Sequence, residues 1–338
     1  MRAAVDVMGG DHAPAVVLQG CLDAAPLLEE GDVILLVGDE KVSHAALDGA
    51  DLPPDKRAQY QIIDAPQSIG MDEPPVEALR SKPNSSINVM CKLAAKGEAD
   101  VVISAGNTGA CVAAAQLRMR TLPGVSRPGI AILMPTFKGP VVLCDAGANP
   151  EPRPKHLQQY AMMASAFCRT MCGKENPRVG LLSIGEEPTK GTEVVIETNQ
   201  ILSTERQVNF IGNVEGRDLF KGVVDVVVCD GFVGNILLKF LEGLADALFR
   251  EIMGGVQQQS PQMLGSVGPM MKKIQQSFDW RDYGAAPLLG VNGHCLICHG
   301  SSDARAIKSA IRAGKQLSGS GMNQKIIEAI QQGVQIAE

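Results

Sequence analysis

Five short polar stretches, each directly after an apolar run, hold residues that could grip an anion or steady a developing charge. The first is Asp6-Val-Met-Gly-Gly-Asp-His-Ala-Pro14, where two glycines permit a tight turn and Pro14 suits the first turn of a helix. His12 there reads either as part of a polar rim or as part of an ordinary strand-to-helix turn. The second is Ser104-Ala-Gly-Asn-Thr-Gly-Ala110. Gly106 and Gly109 let backbone N–H groups approach an anion, while Asn107 and Thr108 can cap the next helix or donate to phosphate at its positive end. The third, Ile184-Gly-Glu-Glu-Pro-Thr-Lys-Gly191, carries Lys190, which can neutralise phosphate or an oxyanion or simply be solvated. The fourth, Asp230-Gly-Phe-Val-Gly-Asn235, sets Asp230 and Asn235 at the opening of a long helix. The fifth, His299-Gly-Ser-Ser-Asp-Ala-Arg305, puts Ser302 at a helix entrance as its cap, with Arg305 within a turn.

The missing patterns narrow the chemistry. The chain has no G-x-S-x-G elbow, no H-E-x-x-H pair and no G-x-x-x-x-G-K-[ST] loop, which removes serine hydrolases, zinc proteases and ordinary nucleotide hydrolases. The first loop lacks the dinucleotide fingerprint G-x-G-x-x-G. Cys295-Leu-Ile-Cys298-His299 fits the short haem-attachment pattern but reads as a buried strand. Cys168 and Cys172 share a helix face without a second ligand pair nearby, so ordinary core packing is expected there.

These loops need a scaffold, and the rest of the chain supplies one. Apolar runs at 3–7, 32–37, 61–64, 101–104, 130–134, 141–144, 179–184, 209–211, 226–229 and 295–298 alternate with helical segments. Such alternation predicts an α/β fold, a three-layer α/β/α sandwich with a mainly parallel sheet. Runs such as 101–103 and 226–228 are apolar on both faces, as strands covered by helices on each side must be. Ligands of such sheets bind beyond the carboxyl ends of strands, where the polar loops lie. The chain reads as one domain, residues 1–338, broken only by a helical excursion at about 236–282 with glycine and proline interruptions.

The 31 basic and 37 acidic residues give a net charge of -6, which argues against a general grip on nucleic acid. An apolar run begins at once, leaving no room for a secretory leader, and no run approaches the roughly 20 residues that span a bilayer. A cytoplasmic protein with reduced thiols is expected.

Taken together, the five loops and the stretches Ile69-Gly-Met-Asp-Glu-Pro74, Asp145-Ala-Gly-Ala-Asn149, Phe210-Ile-Gly-Asn213 and Ala286-Pro-Leu-Leu-Gly-Val-Asn-Gly293 resemble the bacterial acyl-acyl carrier protein:phosphate acyltransferase family, in order and over nearly the whole chain. The resemblance implies a fold similar to that of phosphotransacetylase and isocitrate dehydrogenase, and a homodimer. It also implies transfer of a fatty acyl group from acyl carrier protein to inorganic phosphate. The acyl phosphate would feed a membrane glycerol-3-phosphate acyltransferase of phospholipid synthesis. On this reading phosphate itself attacks, so no acyl-enzyme is needed, and no metal and no cofactor are expected. On this reading Ser104, Gly106, Asn107, Thr108 and Gly109 bind phosphate, and Lys190 and Asn235 serve the reacting centre. His12, Asp230, Ser302 and Arg305 are second candidates. Arg250, Lys272, Lys273 and Arg281 are expected to dock the acidic carrier. Met263, Leu264, Val267, Met270 and Met271 at the tip of the excursion are expected to touch the membrane from its inner face. Two rivals remain, a decarboxylating NAD-dependent dehydrogenase on a related fold and a non-enzymatic membrane-edge scaffold.

Overall fold

Each of the ten apolar runs forms a strand in the computed structural model, which describes residues 1–259, 261–277 and 284–335. The strands are β1 (Arg2–Asp6), β2 (Val33–Gly38), β3 (Tyr60–Asp64), β4 (Val101–Ser104), β5 (Gly129–Met134), β6 (Val141–Cys144), β7 (Arg178–Leu182), β8 (Asn209–Val214), β9 (Val226–Val228), β10 (Ala286–Leu289) and β11 (His294–Ile297). They make one sheet in the order β3-β2-β1-β4-β11-β10-β5-β6-β9-β7-β8. The unforeseen strand is β10. It is four residues long and contains Pro287, which cannot donate to a ladder and so hid the strand from the sequence pattern.

That short strand decides the architecture. From β3 to β11 all pairings are parallel, and from β6 to β8 they are parallel again. Between these halves, β11 with β10, β10 with β5 and β5 with β6 pair antiparallel. Three reversals make the two parallel halves run in opposite senses.

Helices cover both faces: α1 (Ala15–Asp23), α2 (Glu40–Asp48), α3 (Pro54–Arg57), α4 (Pro75–Ser81), α5 (Ser86–Ala95), α6 (Thr108–Ala114), α7 (Pro154–Cys172), α8 (Glu193–Thr204), α9 (Gly231–Gln259), α10 (Leu264–Ser277), α11 (Ala304–Ser318) and α12 (Met322–Gln335). Alternate strand residues serve different cores. Val101 and Ile103 pack into the core under α1, α7, α11 and α12, whereas Val102 packs into the one under α4, α5 and α6. The same alternation separates Cys298 from Cys295, whose side chains fall in different cores, so no one ligand takes both.

The excursion is a helical pair, and its details differ from expectation. Gly254 and Gly255 do not end α9, and Pro269 lies inside α10. Met263 and Met270 are exposed, Val267 is half-buried and Met271 is buried, so Met271 does not face outward. Arg250, Lys272 and Lys273 are exposed. The side chain of Leu264 and the whole of Arg281 lie outside the described residues.

The start of α9 is pressed onto the end of β6. A Cβ at Gly234 would stand 1.9 Å from the Asp145 carbonyl oxygen, a contact that only glycine avoids, whereas one at Gly243 would meet nothing within 4 Å. Gly234→Ala is therefore expected to cost about 3 kcal/mol by overpacking, and Gly243→Ala to gain up to about 1 kcal/mol of helix stability. Urea unfolding of both variants checks this, and equal stability would refute the close junction.

Candidate active site

At the end of β1 the chain buries a carboxylate completely. Asp6 accepts hydrogen bonds from the Met8 N–H at 3.1 Å and the Ser104 hydroxyl at 2.7 Å, and Ser104 Oγ accepts from the Gly106 N–H at 3.0 Å. Burial pushes the Asp6 carboxyl above its ordinary value, and these donors oppose the shift. The network ties the end of β1 to the end of β4, and the backbones meet so closely that a Cβ at Gly9 would lie 2.7 Å from the Gly106 nitrogen.

Asn107 follows and is fully used. Its Oδ1 accepts from the Ala110 N–H at 3.0 Å as the cap of α6, and its Nδ2 donates to the carbonyls of Gly70, Met71 and Glu73. The side chain staples the 70–73 loop to α6. Thr108 is exposed and Gly109 half-buried at the start of that helix.

A second buried carboxylate organises the other half. Asp145, just beyond β6, accepts from the backbone N–H groups of Ile130, Gly147 and Ala148 on Oδ1 and of Asn149 on Oδ2, at 2.6 to 3.1 Å. Burial again pushes the carboxyl up, against the pull of four N–H donors. The loop so formed carries the start of α9: the Gly231 N–H donates to the Asn149 carbonyl at 2.8 Å, and a Cβ at Gly147 would touch Asn235 at 3.6 Å. Asp230 caps α9, with Oδ1 accepting from the Val233 N–H at 2.7 Å, and is not among the residues that line the cavity described below.

Between the two loop systems lies a cavity of about 530 Å³ over the face of β5. One end is polar, lined by Asp11, Thr108, Gly109, Asn235, Lys239, Glu242 and His299. The remainder is mostly apolar, lined by Ile132, Met134 and Pro135 and by Leu238, Leu241 and Ala245 of α9, with Asp246 as a further charged residue. His299 is the first residue of the loop after β11. Its Nε2 meets the Lys239 ammonium, its Nδ1 lies 2.7 Å from Ser301 Oγ, and Glu242 Oε2 is 3.0 Å from Lys239 Nζ. Burial, then the Lys239 charge, holds the imidazole below its ordinary pKa, opposed by Glu242 and Asp11. Cys298 also lines the cavity, but burial pushes its thiol up to about 12, which removes it as a nucleophile.

Of the residues expected at this site, Thr108, Gly109 and Asn235 line the cavity together. Ser104 and Gly106 lie buried beneath it in the Asp6 network. His12, Ser302 and Arg305 are not among the lining residues, and neither is Lys190. Lys190 is exposed on the loop after β7, one strand away from the start of α9. Asp303, not Ser302, caps α11, accepting from the Ala306 N–H at 2.8 Å. His299, Lys239, Glu242 and Asp11 were not read as site residues. The available signals were that His299 opens the fifth loop, and that Lys239 stands one helical turn beyond Asn235 on the same face.

Residues 1–325 match the family described as fatty acid synthesis protein. The chain is 46% identical over 336 residues to the phosphate acyltransferase of Desulforamulus reducens, covering 98% of each. It is 44% identical over 330 residues to that of Nostoc punctiforme, covering 96% of this chain and 95% of the relative. Its fold is similar to that of a phosphotransacetylase from Streptococcus pyogenes, with a TM-score of 0.59 at 18% identity over 94% of each chain. A 4-hydroxythreonine-4-phosphate dehydrogenase from Klebsiella pneumoniae has a TM-score of 0.52 at 15% identity, covering 94% of this chain and 99% of its own.

The Asp145 carboxylate acts only as an acceptor. Asp145→Asn turns one oxygen into a donor facing N–H groups, so a loss of about 3 kcal/mol is expected, together with displacement of the 145–149 loop under Asn235. Denaturant unfolding checks the first, and a change below about 0.5 kcal/mol would contradict the organising role.

Proposed function

The chain belongs to the phosphate acyltransferase family, and from that premise we propose that it moves a fatty acyl group from the thioester of acyl carrier protein onto inorganic phosphate, releasing acyl phosphate. The observation that supports this reading best is the division of the cavity, polar at one end and apolar beyond. From Asn235 to Ala245 the α9 wall runs ten residues, roughly 15 Å at 1.5 Å per residue, which suits an extended acyl chain. Membership of an enzyme family sets aside the scaffold without activity.

Phosphate arrives at the polar end, where the first N–H groups of α6 at Thr108 and Gly109 and the Lys239 ammonium offset its charge. Its oxygen attacks the thioester carbonyl carbon held beside Asn235. The carbonyl becomes an oxyanion, to which the Asn235 amide donates, and the carbon–sulfur bond then breaks. Lys190, with its ammonium in solvent one strand away, draws phosphate to the mouth from outside the lining. The enzyme holds two reactants in line and needs no acylated side chain.

The exposed stripe of α9 supports the homodimer. Phe232, Ile236, Phe240, Leu244, Leu248 and Ile252 recur every four residues and are 41 to 64% exposed, a face that a second copy would cover. Among the described residues no helix is long and apolar enough to cross a membrane. The tip of the excursion, with Met263 and Met270 exposed beside Lys272 and Lys273, is suited to lie on anionic lipid at the inner face of the membrane. Acyl phosphate would pass there to a membrane glycerol-3-phosphate acyltransferase. Arg250, Lys272 and Lys273 also remain the proposed docking points for the acidic carrier protein.

Palmitoyl-acyl carrier protein, phosphate and enzyme should yield acyl phosphate that hydroxylamine traps in a phosphate-dependent amount. No phosphate-dependent hydroxamate would end this reading. Asn235→Ala should lower turnover about 10²-fold or more without loss of fold, and a near-wild-type rate would move the reacting centre elsewhere; Lys190→Ala should raise the KM for phosphate, most at low salt, and leave turnover nearly unchanged. Met263→Asp with Met270→Asp should stay dimeric and active in solution, yet lose about tenfold of its co-sedimentation with anionic vesicles. Undiminished vesicle binding would remove the tip from the membrane.

A further inference from the structure

We propose that acyl chains longer than about eight carbons pass through a slot in the sheet between Leu133 and Ala285 and lodge their ends in a second apolar cavity under α7 and α11. The inference rests on the acyl transfer proposed above and assigns the site for the far end of its substrate. The second cavity, of about 270 Å³, is lined by Phe167, Met171, Pro287, Leu296, Ala313 and Leu317, with Ser309, Arg312 and Gln316 on its α11 side. Leu133 and Ala285 line both this cavity and the one over β5. The two lie on opposite faces of the sheet. Ile132 and Met134 pack with Leu237 and Leu241 of α9, whereas Leu133 and Ala285 pack into the core that holds Phe167, Leu296 and Leu317.

Strand pairing explains the slot. β5 runs on to Met134, yet its ladder with β10 holds only two pairs, Leu288 opposite Ile130 and Leu289 opposite Gly129. The next residue back along β10 is Pro287, which cannot donate to a ladder. In the same register Ala285 would stand opposite Leu133, past the last pair, and it contributes only a methyl group to the gap. The chain entering β10 is held by α11 instead, since a Cβ at Gly284 would stand 2.4 Å from the Ala310 nitrogen. Distance along β5 sets the length. The Ile130 N–H is bonded to Asp145, whose loop supports Asn235, so Ile130 marks the reacting end. Leu133 is three residues on, roughly 10 Å away at about 3.4 Å per residue. An extended chain advances about 1.2 Å per bond, so about eight carbons bring it level with the slot. Straight ahead along α9 lies the exposed side chain of Asp246, beside which methylenes would stay wet. Through the slot they would meet Phe167, Leu296 and Leu317, all buried.

Filling the second cavity should therefore penalise long chains alone. Ala313 lines that cavity and not the first, so Ala313→Phe occupies it from α11 and leaves the reacting end untouched. A buried methylene is worth about fourfold in binding, so displacing two or more should lower kcat/KM for palmitoyl-acyl carrier protein about tenfold or more. With octanoyl-acyl carrier protein the change should stay within about twofold, since that chain ends at the slot. An equal loss on both donors, or none on the longer, would overturn the proposal. Wild-type protein gives a second reading that does not depend on how the variant folds. Palmitoyl-acyl carrier protein with a diazirine on the terminal carbon is irradiated in the complex with no phosphate present, and the labelled peptides are mapped. Insertion is expected in α7 or α11, at residues such as Phe167, Met171 or Leu317. Insertion confined to α9, with wild type active on both donors, would end this proposal alone. Failure of wild type to form acyl phosphate from either donor would remove the underlying reaction, and the proposal with it.

Discussion

Two carboxylates taken out of water shape this molecule. Asp6 and Asp145 are each fully buried, and their partners among the described residues are N–H and O–H donors. An unpaired buried charge costs several kcal/mol, so the surrounding chain must bring donors to it and hold them. That demand curls the loop after β6 around Asp145 and draws Ser104 toward Asp6. It also explains why backbone crowds close at Gly9, Gly231 and Gly234, where a Cβ would collide. The polar end of the cavity is thus built by satisfying two buried charges.

Strand direction determines how the two constructions meet. Each parallel half presents its loops at the carboxyl ends of its own strands, and the halves run in opposite senses across β10 and β5. The loops after β1, β4 and β11 therefore border the face of β5 from one side, and the loop after β6 with the base of α9 from the other. Asn235 rests on the Asp145 loop, and Lys239, one turn on, reaches the His299 loop. Helix α9 thus links the two halves across the cavity. The arrangement suits a reaction whose nucleophile is bound rather than made from a side chain, since Cys298, the thiol that lines the cavity, is held protonated by burial.

Much of this was legible in the sequence because parallel strands advertise themselves. Val101-Val-Ile and Val226-Val-Val are apolar on both faces, and the polar loops follow such runs directly. The strand that reverses the sheet was not legible, since Pro287 in a four-residue run is a signal against a strand. Residue roles were harder than residue locations. Asn107 precedes Thr108, which lines the cavity, yet its amide is spent on a cap and three carbonyls, a choice that depends on the 70–73 loop far away in the sequence. Asp230 and Asp303 turned out to be caps for the same local reason. His299 and Lys239 are 60 residues apart, and a lysine on an amphipathic helix reads as solvated surface until its partner is known.

Direct attack by bound phosphate is tested most simply by leaving phosphate out. Unlabelled acyl-acyl carrier protein is mixed with enzyme and isotopically labelled free carrier protein, and the acylated pool is followed for label. Direct transfer predicts no label in the acylated carrier until phosphate is added, after which exchange begins through acyl phosphate. Label entering at a rate comparable to turnover with no phosphate present would require an acylated enzyme, and would contradict a site built to hold the nucleophile rather than to supply it.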